Sequence, residues 1–340
     1  MFPVPVTVDK MTFLDTENTG PTITLSLGAG GSVVKTGPVT GDRGQASYKV
    51  GVSDVVAMTL KFPNSGAVDN IKFNDCDGGG GGAPHITPFG GERYYFMGEC
   101  DSVLHASRDL DVHIRTTIKD NYSYIEASAI RAGNSVVEMS TANPQDFFIN
   151  GQDFTTDDLP LEIEGKYTLQ EGAAVKKGLG TNYQLAVGAL NVNIRVMKFI
   201  MGVEMYGIHE AFEEGTAGLM GQLPHGTLLG RDGTTVFEHD GVFRSVREVD
   251  EPVCNAIGQE WQVRDTDPQL FREIRRPVWP HQCRFPAETT ISDVRRLTAS
   301  VDVETAAKVC AEVHKKDSAD FEFCIMDVIA MDDVDAAYAW

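Results

Sequence analysis

Short alternations of apolar and polar residues run through most of the chain. Val112, Ile114, Thr116 and Ile118 alternate strictly with polar neighbours, which is typical of a half-buried β-strand, and residues 190–196 repeat the pattern. Further runs of β-forming residues occur at 122–130, 135–139, 167–169, 199–206, 234–237 and 261–263. These patterns predict a mainly β protein.

The first 75 residues contain strand-like runs separated by turn residues. The runs are 23–27, 32–35, 47–50, 55–62 and 68–73, and their spacing predicts a small antiparallel β-sandwich over residues 1–75. Gly28-Ala29-Gly30 could suggest a nucleotide-binding loop, but no helical pattern follows it. A hairpin turn is the better interpretation.

A run of five glycines, Gly78 to Gly82, follows this unit. Because such a run has no side chains to bury, it is expected to act as a flexible link. We therefore place a glycine-rich linker at residues 76–82 and a second, β-rich domain at 83–287.

The pattern changes after Pro286. Apolar residues between 301 and 313 recur near helical spacing, and Asp302 and Glu304 would complement the helix dipole from the first turn. Further helices are predicted at 321–330 and 332–340. Residues 288–340 are therefore expected to form a short helical module.

Composition and charge exclude several classes of partner. A chain of 340 residues exceeds the usual size of one domain, and its 42% hydrophobic content is that of a globular protein. The formal net charge of −20 argues against nucleic acid and anionic membranes, because like charges repel. The longest apolar run, 196–205, is interrupted by Lys198, Gly202 and Glu204, so no membrane span is predicted.

The cysteines favour an extracellular location. An even number without Cys-x-x-Cys or zinc-ligand spacing points to disulfide bonds rather than a metal site, and the alternative is reduced core cysteines in a cytosolic protein. Residues 1–10 lack the basic start and apolar stretch of a signal peptide, so a secreted form would be a mature or cut chain. The six cysteines are Cys76, Cys100, Cys254, Cys283, Cys310 and Cys324.

Residues 82–106 read GAPHITPFGGERYYFMGECDSVLHA, the most specific pattern in the chain. The segment resembles the opening of a von Willebrand factor type D domain, and the alternative is an unrelated aromatic hairpin. The positions that hold the family pattern are Gly82, Pro84, His85, Phe89, Gly91, Tyr94, Phe96, Gly98, Cys100 and Leu104.

The resemblance continues later in the chain. Residues 218–223, Gly-Leu-Met-Gly-Gln-Leu, stand where the family has Gly-Leu-Cys-Gly-Asn-Phe, and the Asp232-Gly233 turn and Trp261 follow in the family's order. The tail resembles the cysteine-rich helical (C8-like) module that commonly follows type D domains. Its shared features are Cys310, Phe323-Cys324 and Asp327-Val328.

The resemblance implies a disulfide bond between Cys100 and Cys283. It would close a loop of nearly the whole domain, for which chain entropy gives a stabilisation of about 4–5 kcal/mol. Cys310 and Cys324 fall on successive predicted helices and could join them.

Several departures from the family pattern bear on its chemistry. The usual partner position of Cys76 holds Met220, so Cys76 pairs with Cys254, pairs outside the chain or stays reduced. Position 83 is Ala, which lacks the carboxylate that cleaves the Asp-Pro bond in some relatives. Without a Cys-x-x-Cys pair, disulfide-linked multimers of the family type are not predicted.

The calcium site found in many family members is expected to be lost. Gly90 replaces a ligand aspartate, and the later loop offers Gln222, Leu223, Pro224 and His225, whereas calcium needs six to eight oxygens with several carboxylates. Asp232 is expected to be a turn residue. We predict neither a metal site nor a cofactor.

Other constellations give no catalytic site. The eight histidines show no metal-ligand spacing, His85 belongs to the family pattern, and His105 and His113 could face each other on a hairpin. Asn121-Tyr122-Ser123 is a glycosylation sequence that would matter in a secreted protein.

These observations predict an extracellular, non-enzymatic structural or adhesion protein. Its expected partners are copies of itself, other matrix proteins or polysaccharides. One alternative is a carbohydrate-binding module on the amino-terminal sandwich, although residues 1–75 contain one tyrosine, Tyr48, and no tryptophan. A further alternative is a luciferase-like enzyme, since some luciferases contain type D domains.

Overall fold

The computed structural model describes residues 6–338, except 29, 75–77, 83, 90–92, 120–121, 174–179, 189, 207–214, 224–225, 238–250, 276–282, 287–299, 315 and 317–318. The predictions for Cys76, Ala83, Gly90, Asn121 and His225 lie outside the described residues. The chain forms two compact units, one from Met1–Asp77 with Gly207–Glu210 and the other from Gly78–Tyr206 with Ala211–Trp340.

The amino-terminal unit is one antiparallel sheet in the order β3-β2-β4-β1-β5. The long strand β4 is shared, because residues 45–55 pair with β1 and residues 55–61 pair with β2. The predicted strands 47–50 and 55–62 are thus parts of one strand, which passes Gly51 at a φ of 55°. The strands are β1 (Val6–Leu14), β2 (Thr22–Leu27), β3 (Ser32–Thr36), β4 (Gln45–Lys61) and β5 (Ala67–Asn74).

The core of this unit comes from alternating residues of its strands. Phe13 packs edge-on against Tyr48 and Phe62, with ring centroids 6.3 Å apart in both pairs. The buried residues are Val6, Val8, Met11, Phe13, Ile23, Leu25, Val50 and Val55.

The described residues of the second unit form two antiparallel sheets, of six and eight strands. The six-stranded sheet, in the order β14-β13-β12-β11-β10-β9, connects consecutive strands. Its strands are β9 (Asp101–Ala106), β10 (Leu110–Lys119), β11 (Tyr122–Ala132), β12 (Ser135–Ser140), β13 (Asp146–Ile149) and β14 (Gln152–Thr155).

The eight-stranded sheet has the order β15-β16-β17-β18-β19-β6-β7-β8, which joins the start of the unit to strands more than 100 residues later. Its strands are β6 (Gly78–Gly81), β7 (His85–Thr87), β8 (Tyr94–Tyr95), β15 (Leu161–Ile163), β16 (Tyr167–Glu171), β17 (Thr181–Val187), β18 (Leu190–Met197) and β19 (Ile200–Tyr206). The mainly β class predicted from sequence is confirmed.

The two best alternating runs differ in their burial. In β18 burial alternates as predicted for a half-buried strand. In β10 the residues from Leu110 to Ile114 are all buried, so the prediction of a half-buried strand is wrong for this part. The polar members of the run, Asp111 and His113, lie inside because neighbouring structure covers both faces of the sheet.

The glycine run is a strand of the sheet, and the prediction of a flexible link is wrong for Gly78–Gly81. β6 pairs with β19 on one side and β7 on the other, which satisfies its backbone hydrogen-bonding groups. A Cβ atom on Gly79 would lie 2.4 Å from the Val203 carbonyl oxygen, and one on Gly80 would lie 3.0 Å from Ile86 Cδ1. Glycine is needed here for close approach.

Three α-helices complete the described structure: α1 (Glu251–Glu260), α2 (Val303–Val313) and α3 (Ala319–Met331). The sequence predicted only strands around α1. The tail helices follow the prediction closely, with Asp302 as N-cap accepting a hydrogen bond from Thr305 N–H, and a 3-10 helix at Val334–Tyr338. Another 3-10 turn occupies Thr156–Asp158. In the described part of the chain, no helix is long and apolar enough to cross a membrane.

The tail helices share a core with the β-strands of the second unit. Tyr124 of β11 packs edge-on against Phe199, and its hydroxyl donates a 2.9 Å hydrogen bond to the Ala330 carbonyl of α3. The predicted helical module therefore belongs to the same compact unit as the sheets. Buried members of this core include Met97, Tyr122, Ile200, Ala306, Cys310, Cys324 and Val328.

Candidate functional site

The two stretches that carry the family resemblance lie side by side. The Phe89 N–H donates to the Met220 carbonyl at 3.1 Å, and the Tyr94 hydroxyl donates to the Leu219 carbonyl at 2.6 Å. The Leu219 N–H in turn donates to the Val103 carbonyl at 3.0 Å. The described residues of 84–106 therefore contact the loop at 218–223, and the two segments form one structural region.

Trp261 contacts this region, and Arg231 packs against Trp261. The Val103 N–H donates to the Trp261 carbonyl at 2.8 Å, and the indole N–H donates to the Leu229 carbonyl at 3.0 Å. The Arg231 guanidinium lies 4.8 Å from the centre of the Trp261 ring and donates two hydrogen bonds, of 2.9 and 2.8 Å, to the Asp267 carboxylate. This pairing neutralises the charge of Arg231.

A hollow of about 150 Å³ lies beside Trp261. It is smaller than the ~300–1,000 Å³ typical of small-molecule sites. Because Arg231 is paired with Asp267, the hollow offers little unbalanced charge to a ligand. Its lining includes Thr216, Gly218, Gln222, Leu229, Arg231 and Trp261.

In the loop where the resemblance predicted the loss of a calcium site, backbone groups bond to each other. The Gln222 N–H donates to the Thr227 carbonyl at 2.9 Å. Asp232 stands in a turn, as predicted, and its carboxylate accepts hydrogen bonds from the N–H groups of Thr234 and Thr235, both at 2.8 Å. A hydrogen bond from the Thr235 hydroxyl, together with these two from the backbone, holds the pKa of Asp232 well below its usual range.

One acidic cluster in the described residues lies in the amino-terminal unit. Carboxylate oxygens of Asp15, Glu17 and Asp42 lie within 4.8 Å of one another. The Asp15 carboxylate also accepts a 3.1 Å hydrogen bond from the Arg43 N–H. Exposed carboxylates often gather in this way on acidic proteins.

Two disulfide bonds join the cysteines that the sequence analysis paired. Cys100 is bonded to Cys283 across 183 residues, and Cys310 is bonded to Cys324 across 14 residues. The first ties the start of β9 to the chain beyond Trp261, and the second joins α2 to α3. All four cysteines are buried.

Cys254 is a buried thiol on α1. Burial, and next the nearby Cys254, raise the pKa of Tyr94 well above its usual value. The helix packs closely here, since a Cβ on Gly258 would lie 1.9 Å from Phe96 Cδ2. Cys254 therefore occupies a core position rather than a reactive surface position.

His85 of the family pattern binds the helical tail. Its Nε2 lies 3.1 Å from Oδ1 of Asp327 on α3, and the two side chains are 8% and 1% exposed. The rings of Phe323 and Tyr95 lie 4.5 and 4.8 Å from the imidazole. A Cβ on Gly82 would come within 2.5 Å of the Asp327 carboxylate, so glycine makes room for the pair.

Sequence reasoning singled out His85 and Asp327 separately but missed the pair. The residues are 242 positions apart, and no local pattern connects them. Aromatic rings cover the pair, and its evident role is to hold α3 on β7.

Carboxylates on the six-stranded sheet are paired with arginines. Asp101 accepts hydrogen bonds of 2.8 and 2.7 Å from Arg115, and Arg275 contacts Glu126 at 2.6 Å and Glu99 at 3.0 Å. Burial raises the pKa of Glu126, and the charge of Arg275 opposes that shift. Such ion pairs act as structural ties between the sheet and the segment that follows α1.

His105 and His113 lie on neighbouring strands but do not stand directly opposite each other. His105 pairs with Val112 and His113 with Val103 in the ladder. Burial lowers the pKa of His105 to about 3 and that of His113 to about 4, the latter against the opposing charge of Asp267. Both imidazoles are therefore neutral at physiological pH.

The ends of the sheets differ in how much they are covered. Both tyrosines of β8 are buried, and β9 makes further bridges with Ala217 and Gln262. At the opposite ends, β14 contains the exposed Asp153 and β15 contains the exposed Glu162. In the amino-terminal unit the end strands are β3 and β5.

No protein-family model and no curated protein matches this chain.

Proposed function

We propose that this chain is a non-enzymatic extracellular structural or adhesion module of the von Willebrand factor type D kind. Its function would be association with copies of itself or with other matrix components. The observation that carries this proposal is the set of antiparallel sheets with end strands at the surface, in a unit crosslinked by two disulfide bonds.

The disulfide bonds support the extracellular part of the proposal. Disulfides form and persist in oxidising compartments and are rare in the cytosol. Both bonds lie in the core of the second unit, where they add to its stability. A protein that works outside the cell lacks the chaperones of the cytosol and gains from such crosslinks.

The state of the ionisable groups supports a non-enzymatic role. Asp101, Glu126 and Asp267 are bound by arginines, and His105 and His113 are buried and neutral. A catalytic acid or base needs access to substrate and a pKa near the working pH. These groups stabilise the fold instead, because the carboxylates are paired with arginines and the histidines are buried.

The test is the association state of the purified chain, measured by sedimentation and light scattering over a range of protein and salt concentrations. A net charge of −20 opposes association, and salt weakens that repulsion over a Debye length of about 8–10 Å. We therefore expect the average mass to rise with protein concentration, and more steeply in salt. Reductant should not abolish the effect. A chain that stays monomeric throughout would contradict self-association.

A second candidate is polysaccharide binding by the amino-terminal unit. On β2 hydroxyl side chains alternate with the buried Ile23 and Leu25, and hydroxyl residues of β3 and β4 extend this open face, which could hydrogen-bond sugars. Co-sedimentation with insoluble polysaccharides tests it, and binding by a chain that remains monomeric would favour this candidate. The hydroxyl-bearing residues are Thr22, Thr24, Ser26, Ser32, Thr36 and Thr59.

A further inference from the structure

The strand β3, Ser32–Thr36, presents an open backbone edge. It ends the sheet of the amino-terminal unit, and among the described strands only β2 pairs with it. The Leu27 N–H donates to Gly31 and the Gly37 N–H donates to Pro21. Hydrogen-bonded pairs alternate along an antiparallel ladder, so Val33 and Lys35 bond to β2. The N–H and C=O groups of Ser32, Val34 and Thr36 consequently point away from the sheet.

The side chains of this edge suit close contact with another strand. Val34 is 63% exposed, and no large hydrophobic residue of the described chain is more exposed. Ser32 and Thr36 are small, polar and uncharged. The one charge on the strand, Lys35, does not project across the edge, because its ammonium group donates a hydrogen bond to the Val50 carbonyl of the same unit.

The edge at β3 differs in charge from the other exposed ends of the sheets. The end strands β5, β14 and β15 carry Asp69, Asp153 and Glu162, respectively. Two copies of a chain with a net charge of −20 repel each other, and a carboxylate on the contact strand adds to that cost. β3 has no acidic residue.

We infer that β3 is the surface through which two copies of this chain pair, antiparallel and about a twofold axis at Val34. This inference rests on the proposed function and names its contact. In this register Val34 lies opposite Val34 of the second copy, and Ser32 lies opposite Thr36. Each of these pairs exchanges two backbone hydrogen bonds, and the two sheets become continuous.

The occupant is a second copy because the strand is complementary to itself. A twofold contact uses the same patch on both chains, and here it joins valine to valine and hydroxyl to hydroxyl. It also covers the two exposed Val34 side chains. A strand of another protein would not have this symmetric match.

Disulfide trapping in the full-length chain tests the register. Cα atoms of a hydrogen-bonded antiparallel pair lie about 5.5 Å apart, within the ~4.4–6.8 Å that a disulfide spans. Val34→Cys should therefore give a dimer on mild oxidation that reductant reverses. In the matched control Ser32→Cys, the two cysteines would be about 14 Å apart and should not crosslink. Equal crosslinking of both variants, or of neither, would overturn the inference.

A charge variant gives an independent measurement. Val34→Asp should weaken self-association at least tenfold in sedimentation equilibrium, because it places two carboxylates at the axis. Val39→Asp makes the same change at another valine, 54% exposed and outside β3, and should associate like the wild type.

The outcomes also separate the two proposals. If Val34→Asp associates as strongly as the wild type, the inference about β3 is wrong and self-association uses another surface. If the wild type is monomeric under every condition and Val34→Cys gives no dimer, both the inference and self-association fail.

Discussion

His105 and His113 should make the second unit sensitive to acid. Their pKa values in the folded chain, about 3 and about 4, lie below the ~6.5 of an exposed histidine. The unfolded chain therefore binds protons that the folded chain does not. The contribution of the two neutral imidazoles to the free energy of unfolding is fully present above about pH 6.5. It is lost as the pH falls towards the folded pKa values, by about 1.4 kcal/mol per pH unit for each histidine.

Substitution of His105 should reduce this dependence. Between pH 7 and pH 5, the wild type should lose about 2 kcal/mol more unfolding free energy than His105→Leu, because the variant has one fewer group that is protonated only on unfolding. Urea denaturation at the two pH values measures the difference. Identical losses in both proteins would mean that His105 is accessible to protons in the folded state.

At the scale of elements, the glycine strand shows how a sequence pattern can mislead. Strands are recognised by their side chains, and β6 has none, so its composition alone indicates a linker. What makes it a strand is the space between β19 and β7, which is set by residues far away in the sequence. The tail helices α2 and α3 were predictable because their apolar spacing and the N-cap Asp302 are local.

Gly79→Ala distinguishes the two interpretations by the sign of its effect. In a flexible link, alanine would be neutral or stabilise slightly, by about 0.4–1 kcal/mol, because it restricts the unfolded chain. In β6 the added Cβ would meet backbone atoms of Val203 and Glu204 at 2.4 and 2.9 Å, so we expect a loss of about 1–3 kcal/mol. The unfolding free energy from urea denaturation gives the answer. A stabilised variant would refute the strand assignment.

Across the second unit, the two disulfide bonds should differ in how much each adds to the free energy of unfolding. Chain entropy gives about 5 kcal/mol for the Cys100–Cys283 loop of 183 residues and about 3 kcal/mol for the Cys310–Cys324 loop of 14 residues. Paired Cys→Ser variants of each bond, compared by urea denaturation, should show this order. The reverse order would mean that the tail bond holds structure beyond its own loop.

Long-range arrangement sets the limit of what the sequence could predict about the candidate site. The resemblance to type D domains, rather than any local pattern, led to the prediction that Cys100 pairs with Cys283. The contact of His85 with Asp327 and the insertion of β6 beside β19 depend on sheet order, and the pattern of one strand does not encode its neighbours. Helix α1 was missed because its ten residues lie in a stretch with strand-like patterns on both sides.

The position of β6 also determines how the molecule would respond to tension. A pull on the chain that precedes Gly78 enters the second unit at this residue, the first of a strand that is hydrogen-bonded on both sides. A glycine tether would lengthen at low force. Extraction of β6 requires its two hydrogen-bond ladders to break, and the rate at which they break sets the force that the strand resists. Under tension, the junction at Gly78 would therefore keep its length until the force is large enough to extract this strand.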